Sequence, residues 1–374
     1  MDMRGFFRST VAVAAALGWF CAPAGALTIV VDYSYDTNGF FNPNVNSQAL
    51  QARATLEKAV ENFEMFTDHL PRIEEYGGCT WSAGFWHPGT DDATYVPGLV
   101  VPPDTLIVYV GGRDMGSSIL GEAGPGFYSA SAPEGQEEWF DLLAYRGQAG
   151  AEDSPATDFG LWGGSISFND SADWSFDLYS APADEQENDF FSVCLHEMCH
   201  MLGFGISDSW YDLLVAGTFR GEAAMDAYGQ AVPLGGSSHW DFDVEGETGG
   251  QAQEAAMTPS LTTGTRKRLT DLDVAALDDI GWQMPETGDA DLDGVVGAAD
   301  FVTLKENMNE VASATWSDGD FDFDGQVTLR DLLLLEGDLS AGGVQQIPEP
   351  ASLALLGMHL AALLRRRPAS ARRP

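Results

Sequence analysis

His196, Glu197 and His200 lie within HEMCHMLGFGISDSW (residues 196–210), and their types and spacing suit a divalent metal. At about 100° per residue, positions four apart project from one helix face a turn apart, so both imidazoles reach a single ion. Glu197 between them is placed to act as general base toward a water at that ion. A catalytic zinc takes three protein ligands and keeps a fourth position for water. Two histidines therefore leave one ligand to be found, and Ile206, just beyond the glycines, offers none. Four residues are candidates: His69, His87 in GFWHPG, Asp208, and His239 in GGSSHWDFD. His239 lies thirty-nine residues past His200, in a glycine- and serine-rich loop able to fold back beneath the helix.

A second chemistry is written in DADLDGVVGAAD (from Asp289) and DFDFDGQVTLRD (from Asp320), thirty-one positions apart. Each repeat has Asp at loop positions 1, 3, 5 and 12 and Gly at position 6. Calcium needs six or more oxygens, and this alternation turns successive carboxylates inward while the glycine allows a sharp turn. The expected ligands are Asp289, Asp291, Asp293, Asp300 and the Val295 carbonyl in one loop. In the other they are Asp320, Asp322, Asp324, Asp331 and the Gln326 carbonyl.

The elements that position these residues follow from periodicity. LTIVVDYSYD and DTLIVYVGG (residues 104–112) predict strands, and GGSISFND predicts another, expected at an edge where it aligns an extended peptide. Residues 47–66 have helical apolar spacing, with Ser47 as the expected cap. Residues 113–160, rich in Gly, Ser, Ala and Pro, read as a long loop insertion with one short helix near EEWFDLLAYRG. DFFSVCLHEMCHMLGFG predicts a long helix stopped by Gly203 and Gly205, and LTDLDVAALDDIGW a final amphipathic one. The expected architecture is an α/β (α+β) domain with a mixed twisted sheet over residues 27–284. A linker at PETG (residues 285–288) then opens a small all-α calcium-loop domain, residues 285–340.

Both chain ends read as addresses. Arg4 and Arg8 precede the apolar run Val11–Phe20, and Ala24-Gly25-Ala26 offers a cleavage site, so residues 1–26 are an expected export signal. In residues 341–374, Pro348-Glu349-Pro350 precedes fourteen apolar residues and then Arg365–Arg367. That stretch is short of the ~20 residues that span a bilayer comfortably. A chain of 374 residues with 44% hydrophobic content supports a packed core. The net charge of −39 excludes nucleic acid, which needs clustered cations. Loss of the signal removes Cys21, and in an oxidising compartment Cys79 is expected to bridge Cys194 or Cys199. A bond between those last two is disfavoured, since residues five apart on a helix point to different sides.

Three resemblances sharpen these expectations. The ordered set GGSISFNDSADW, HEMCHMLGFG, a turn bearing Met257, and LTDLDVAALDDIGW resembles the metzincin clan of zinc endopeptidases. The strand and last helix are similar to those of matrixins, and the displaced histidine to the leishmanolysin arrangement. Ile206 departs from the commonest extended form of the motif. The resemblance implies His196 and His200 as zinc ligands, Glu197 as catalytic base, and Met257 beneath the site. By its place in the order it implies His239 as third ligand, with Asp208, His87 and His69 left open. The calcium loops, each followed by one helix and closed by Asp at position 12, resemble type I dockerin repeats, which implies a cohesin-like partner. The C-terminal order resembles a PEP-CTERM sorting tail of Gram-negative bacteria, which implies a cell-surface or extracellular protein touching membrane only through that tail. The leading expectation is an exported zinc endopeptidase acting on protein or peptide substrates. A catalytically silent surface protein and a zinc hydrolase of non-peptide bonds are the competing expectations.

Overall fold

The computed structural model describes residues 26–309 and 313–341. The export segment and the sorting tail expected from the sequence lie outside the described residues. Among the described residues no helix is long and apolar enough to cross a membrane.

A four-stranded mixed sheet organises the large domain. Strand β1 (Thr28–Asp32) pairs parallel with β4 (Thr105–Arg113), which pairs parallel with β7 (Gly163–Asn169). Strand β5 (Gly121–Pro125) closes the edge antiparallel to β7, giving the order β1-β4-β7-β5. Successive strand residues point to opposite faces, and β4 shows why this sheet is buried on both. Its Leu106, Val108 and Val110 join the core shared with helices α1 (Ala49–Val60) and α3 (Phe190–Met201), while Ile107 and Tyr109 face the other layer. That layer is a three-stranded antiparallel sheet of β2 (Thr80–Trp86), β3 (Ala93–Pro97) and β6 (Phe127–Ser131), backed by α2 (Glu138–Tyr145). A fully buried side chain such as Phe168 contributes on the order of 1.5–3 kcal/mol.

Several expectations are corrected here. Strand β7 is not an edge: all seven of its residues are buried, and β5 covers its open side. The stretch 113–160 is not one loop with a short helix, since it also supplies β5 and β6. GEAGP has no apolar alternation, and in FYSAS only Tyr128 and Ala130 alternate with serines, a pattern too short to stand out from its loop, so pairing to neighbours defines both strands. Ser47 does not cap α1, which starts after Gln48 without a side-chain cap and gives way to a 3₁₀ turn, Glu61–Phe63. The three described cysteines are free and buried, Cys79 in one core and Cys194 and Cys199 in the other, so no bridge forms.

Beyond α3 come α4 (Asp208–Asp212), α5 (Glu222–Tyr228), a hairpin of Glu245–Thr248 with Gln251–Glu254, and α6 (Asp271–Asp279). Thr270 and Asp273 cap α6 reciprocally. The C-terminal module comprises the two acidic loops, α7 (Ala298–Glu306) and α8 (Leu329–Ala341). Its Leu292, Val296, Trp316 and Phe321 belong to the same continuous core as the large domain. At the junction, Gly288 (φ 99°) comes so close to Val296 Cγ1 and Leu335 Cα that a Cβ would lie 3.0 and 3.2 Å from them.

Candidate metal centre

Helix α3 is fixed at both ends. Asp189 accepts from Ser192 N at its start and is held by Arg266, whose Nη2 lies 2.8 Å from Asp189 Oδ1. At its end Phe204 N donates to Cys199 O and Gly203 N to His200 O, the paired bonds of a Schellman termination. Gly203, at φ 100°, supplies the left-handed residue this ending requires. The chain then turns under the helix, and Trp240, fully buried, brings His239 back to it.

The Nε2 atoms of His196, His200 and His239 lie 3.1–3.2 Å from one another. Each Nδ1 has a partner of its own. His196 Nδ1 meets Ala256 O at 2.8 Å, His200 Nδ1 meets Phe204 O at 2.9 Å, and His239 Nδ1 meets Ser238 Oγ at 3.2 Å. A carbonyl only accepts, so His196 and His200 carry their protons on Nδ1 and aim bare Nε2 lone pairs inward. Burial favours the neutral form of each ring: it pushes His200 down to about 4, His196 well below its usual range, and His239 downward. The two bare lone pairs repel unless a cation sits between them, and His239 Nε2 converges on the same point, so the donor set fits zinc.

The other candidates stand apart. Asp208 is exposed at the first turn of α4, His87 Nδ1 accepts from Gly89 N, and His69 pairs with Asp104 on the surface. Ile206 lines the cleft without offering a ligand. Met257 is fully buried in the turn between His239's support and α6.

Glu197 is 4% exposed, and burial, reinforced by the charge of Glu122, raises its carboxyl to about 8. Its Oε2 has no hydrogen-bond partner among the described residues. Across from it stands Gly121 of β5, where a Cβ would lie 2.6 Å from Glu197 Oε1. Leu120 O and Gly126 N bond to β7, so by the alternation of an antiparallel ladder the N–H and C=O of Gly121 and Ala123 point to the open edge. This edge, α3 and the segment Thr258–Leu261 enclose a cleft of about 640 Å³.

Asp273 was not singled out in the sequence, yet it organises the site from behind. Fully buried, it accepts from Trp240 Nε1 (3.0 Å), Met257 N (3.2 Å), Ala256 N (2.8 Å), Thr270 N (3.0 Å) and Thr270 Oγ1 (2.7 Å). It thereby holds the residue beside His239 and the carbonyl-bearing residue behind His196. The available signal was the Thr-x-x-Asp cap at the start of α6.

In the module, one carboxylate oxygen each of Asp289, Asp291 and Asp300 lies within 4.8 Å of the others, as do those of Asp320, Asp322 and Asp324. Asp293 accepts from Val295 N, and Asp331 is occupied by Phe321 N and Thr328 N; neither joins its cluster. The Val295 side chain is exposed, and Gln326 N donates to Asp324 Oδ1. Gly294 and Gly325 take φ of 82° and 76°, and Leu292 and Phe323, at position 4, are also left-handed. Burial, with neighbouring carboxylates second, raises Asp322 to about 6 and Asp320 well above the usual carboxylate range.

Residues 287–340 match the family described as Dockerin type I domain. The module is therefore a calcium-dependent docking module of the kind that binds cohesin partners and occurs in extracellular or cell-surface proteins. The match does not extend to the histidine-bearing domain. No curated protein matches the chain.

Proposed function

We propose that the chain is an exported zinc-dependent endopeptidase that carries its own calcium-dependent docking module. One observation supports this reading above the rest: the Nε2 atoms of three imidazoles converge on one point, two of them unprotonated, next to an unpartnered buried carboxylate and an open strand edge. Zinc held by His196, His200 and His239 would polarise the scissile carbonyl and acidify water.

The chain's own residues supply the remaining functions. An extended peptide lies along β5, antiparallel or parallel to it, and pairs with the outward N–H and C=O of Gly121 and Ala123. Pro125, which has no N–H, ends the pairing row. A cation at the histidines would offset the burial of Glu197 and favour its carboxylate form; Oε2 then takes a proton from the attacking water, the water oxygen bonds to the carbonyl carbon, and the C–N bond breaks. The same carboxyl then delivers its proton to the leaving nitrogen. The absence of side-chain bulk at Gly121 lets this carboxylate approach the substrate strand.

The test is zinc content and cleavage of a denatured protein by purified variants. Glu197→Gln should hold zinc and lose hydrolysis. His239→Ala should lose zinc as severely as His196→Ala, and Asp208→Ala should keep it. Zinc retained in His239→Ala, or hydrolysis retained in Glu197→Gln, defeats the proposal.

A further inference from the structure

The docking module does not hang free of the large domain. Gly249 N donates to Asp322 O at 3.1 Å, and Thr248 Oγ1 donates to the same carbonyl at 3.3 Å. Asp322 is position 3 of the second calcium loop, and Thr248 and Gly249 form the tip of the hairpin. A Cβ on Gly249 would meet Asp324 Oδ2 at 2.8 Å, and one on Gly250 would meet Arg330 Cζ at 2.4 Å. From the adjacent segment Arg268 lays its guanidinium against Gly325, where a Cβ would stand 1.9 Å from Nη1. The first loop is open by comparison, with Asp291 and Val295 exposed.

Charge explains the difference. Asp320 and Asp331 are buried, and the Asp322 carboxylate is nearly so. Buried charge is tolerated only when balanced. The second loop's four carboxylates face two guanidiniums, and one divalent ion would complete their balance. One guanidinium is that of Arg330, whose Nε lies 2.8 Å from Asp322 Oδ2, and the other is that of Arg268 of the large domain. The first loop buries Asp289 and Asp300 as well, but its Asp291 and Asp293 are exposed to water, which screens them in place of a guanidinium from the large domain.

The far end of the same hairpin reaches the histidines. Glu254 accepts from Lys267 Nζ at 2.7 Å, and Ala255 N donates to Val244 O at 3.0 Å. The next residue, Ala256, gives its carbonyl to His196 Nδ1. Ala256 lies six positions after Gly250.

We propose that calcium in the second loop locks the module onto the hairpin 245–254, and that through this hairpin it sets the position of the Ala256 carbonyl behind His196. Without the ion the four carboxylates repel, the left-handed turn at Phe323 and Gly325 is lost, and Gly249 loses its acceptor. Arg268 and Gly249 are positioning residues for the site. The lock rests on calcium binding by the module and is independent of the zinc and hydrolysis reading.

The experiment is hydrogen exchange on the full chain, stripped of metals, with calcium alone added or withheld and zinc absent throughout. Calcium should slow exchange of amides 246–256 about tenfold, within the range usual for coupled sites. Asp291→Asn, which removes a member of the first loop's cluster, should leave that effect intact. Asp324→Asn, which removes a member of the second loop's cluster, should abolish it, and Arg268→Gln should reduce it to less than about threefold. Hairpin exchange indifferent to calcium overturns the lock. So does equal loss in both asparagine variants, which would place the linkage in the module as a whole, and so does an undiminished effect in Arg268→Gln.

Discussion

Replacing Asp273 by Asn tests whether the metal centre is held from behind. Two donors, Trp240 Nε1 and Met257 N, share Oδ1; three, Ala256 N, Thr270 N and Thr270 Oγ1, share Oδ2. An asparagine offers one oxygen and one NH₂, so whichever way it turns, at least two buried donors face another donor. Each unsatisfied buried donor costs roughly 1–3 kcal/mol, so Asp273→Asn should lose roughly 2–6 kcal/mol of stability. The better rotamer keeps the Oδ2 side and sacrifices the Trp240 bond, so His239 should lose its anchor first. Zinc affinity should then fall about 10–100-fold, the usual cost of removing an outer-shell partner. Asp278→Asn, on the exposed side of the same helix, should stay within about 0.5 kcal/mol. Urea unfolding and competition with a chromophoric zinc chelator measure the two effects. Wild-type stability together with wild-type zinc affinity in Asp273→Asn would refute the assignment.

Gly121→Ala would place a Cβ within 2.6 Å of Glu197 Oε1, and the far end of that side chain can move aside. Melting should therefore change little, while hydrolysis falls at least about tenfold with zinc retained, as misplacing a base by an ångström requires. Asp68 is 1% exposed, has one unpartnered oxygen, and is raised by burial from 3.8 to about 7. A carboxyl raised in the folded state contributes its full stability below the unfolded value and loses it as pH climbs from about 4 to about 7. That gap corresponds to roughly 4 kcal/mol, so Asp68→Asn should match wild type near pH 3.5 and exceed it by up to that amount at pH 8. Denaturant midpoints across pH check it. Calorimetry on the full chain should resolve two calcium events of unequal affinity, one of which Asp324→Asn removes; equal and independent sites would contradict the asymmetry of burial between the loops.

What the sequence disclosed and what it hid divide along the range of the forces involved. The pairing of His196 with His200 follows from helix periodicity alone, and the acidic loops announce themselves by a repeat of ligands with glycine at one position. His239 could be ranked but not fixed, because its approach depends on Trp240 reaching Asp273, a contact between residues thirty-three apart. Strands β5 and β6 stayed hidden because GEAGP has no apolar alternation and FYSAS only a short one spaced by serines; pairing with β7 and β2 sets their register. The mistaken edge followed directly, since a strand cannot be known to be internal until its neighbour is found. The expected disulfide failed for a similar reason: chain position says nothing of which core a cysteine enters, and the sheet separates Cys79 from the other two.

The junction at Gly288 bears on how far the cleft can reach. A glycine-rich tether lets a catalytic domain sweep a volume that grows with tether length, and raises the local supply of any substrate inside it. Here the chain passes from the large domain to the module with its backbone pressed against Val296 and Leu335, and one apolar core runs through both. A scaffold gripping the module by its outward helices, where Val302, Leu329 and Leu333 are exposed, therefore grips the whole body. The cleft is carried at a fixed bearing and distance from its mooring. On the proposed reading it would work on what is presented along one line of approach, and neighbours at other angles on the same scaffold would lie beyond its arc.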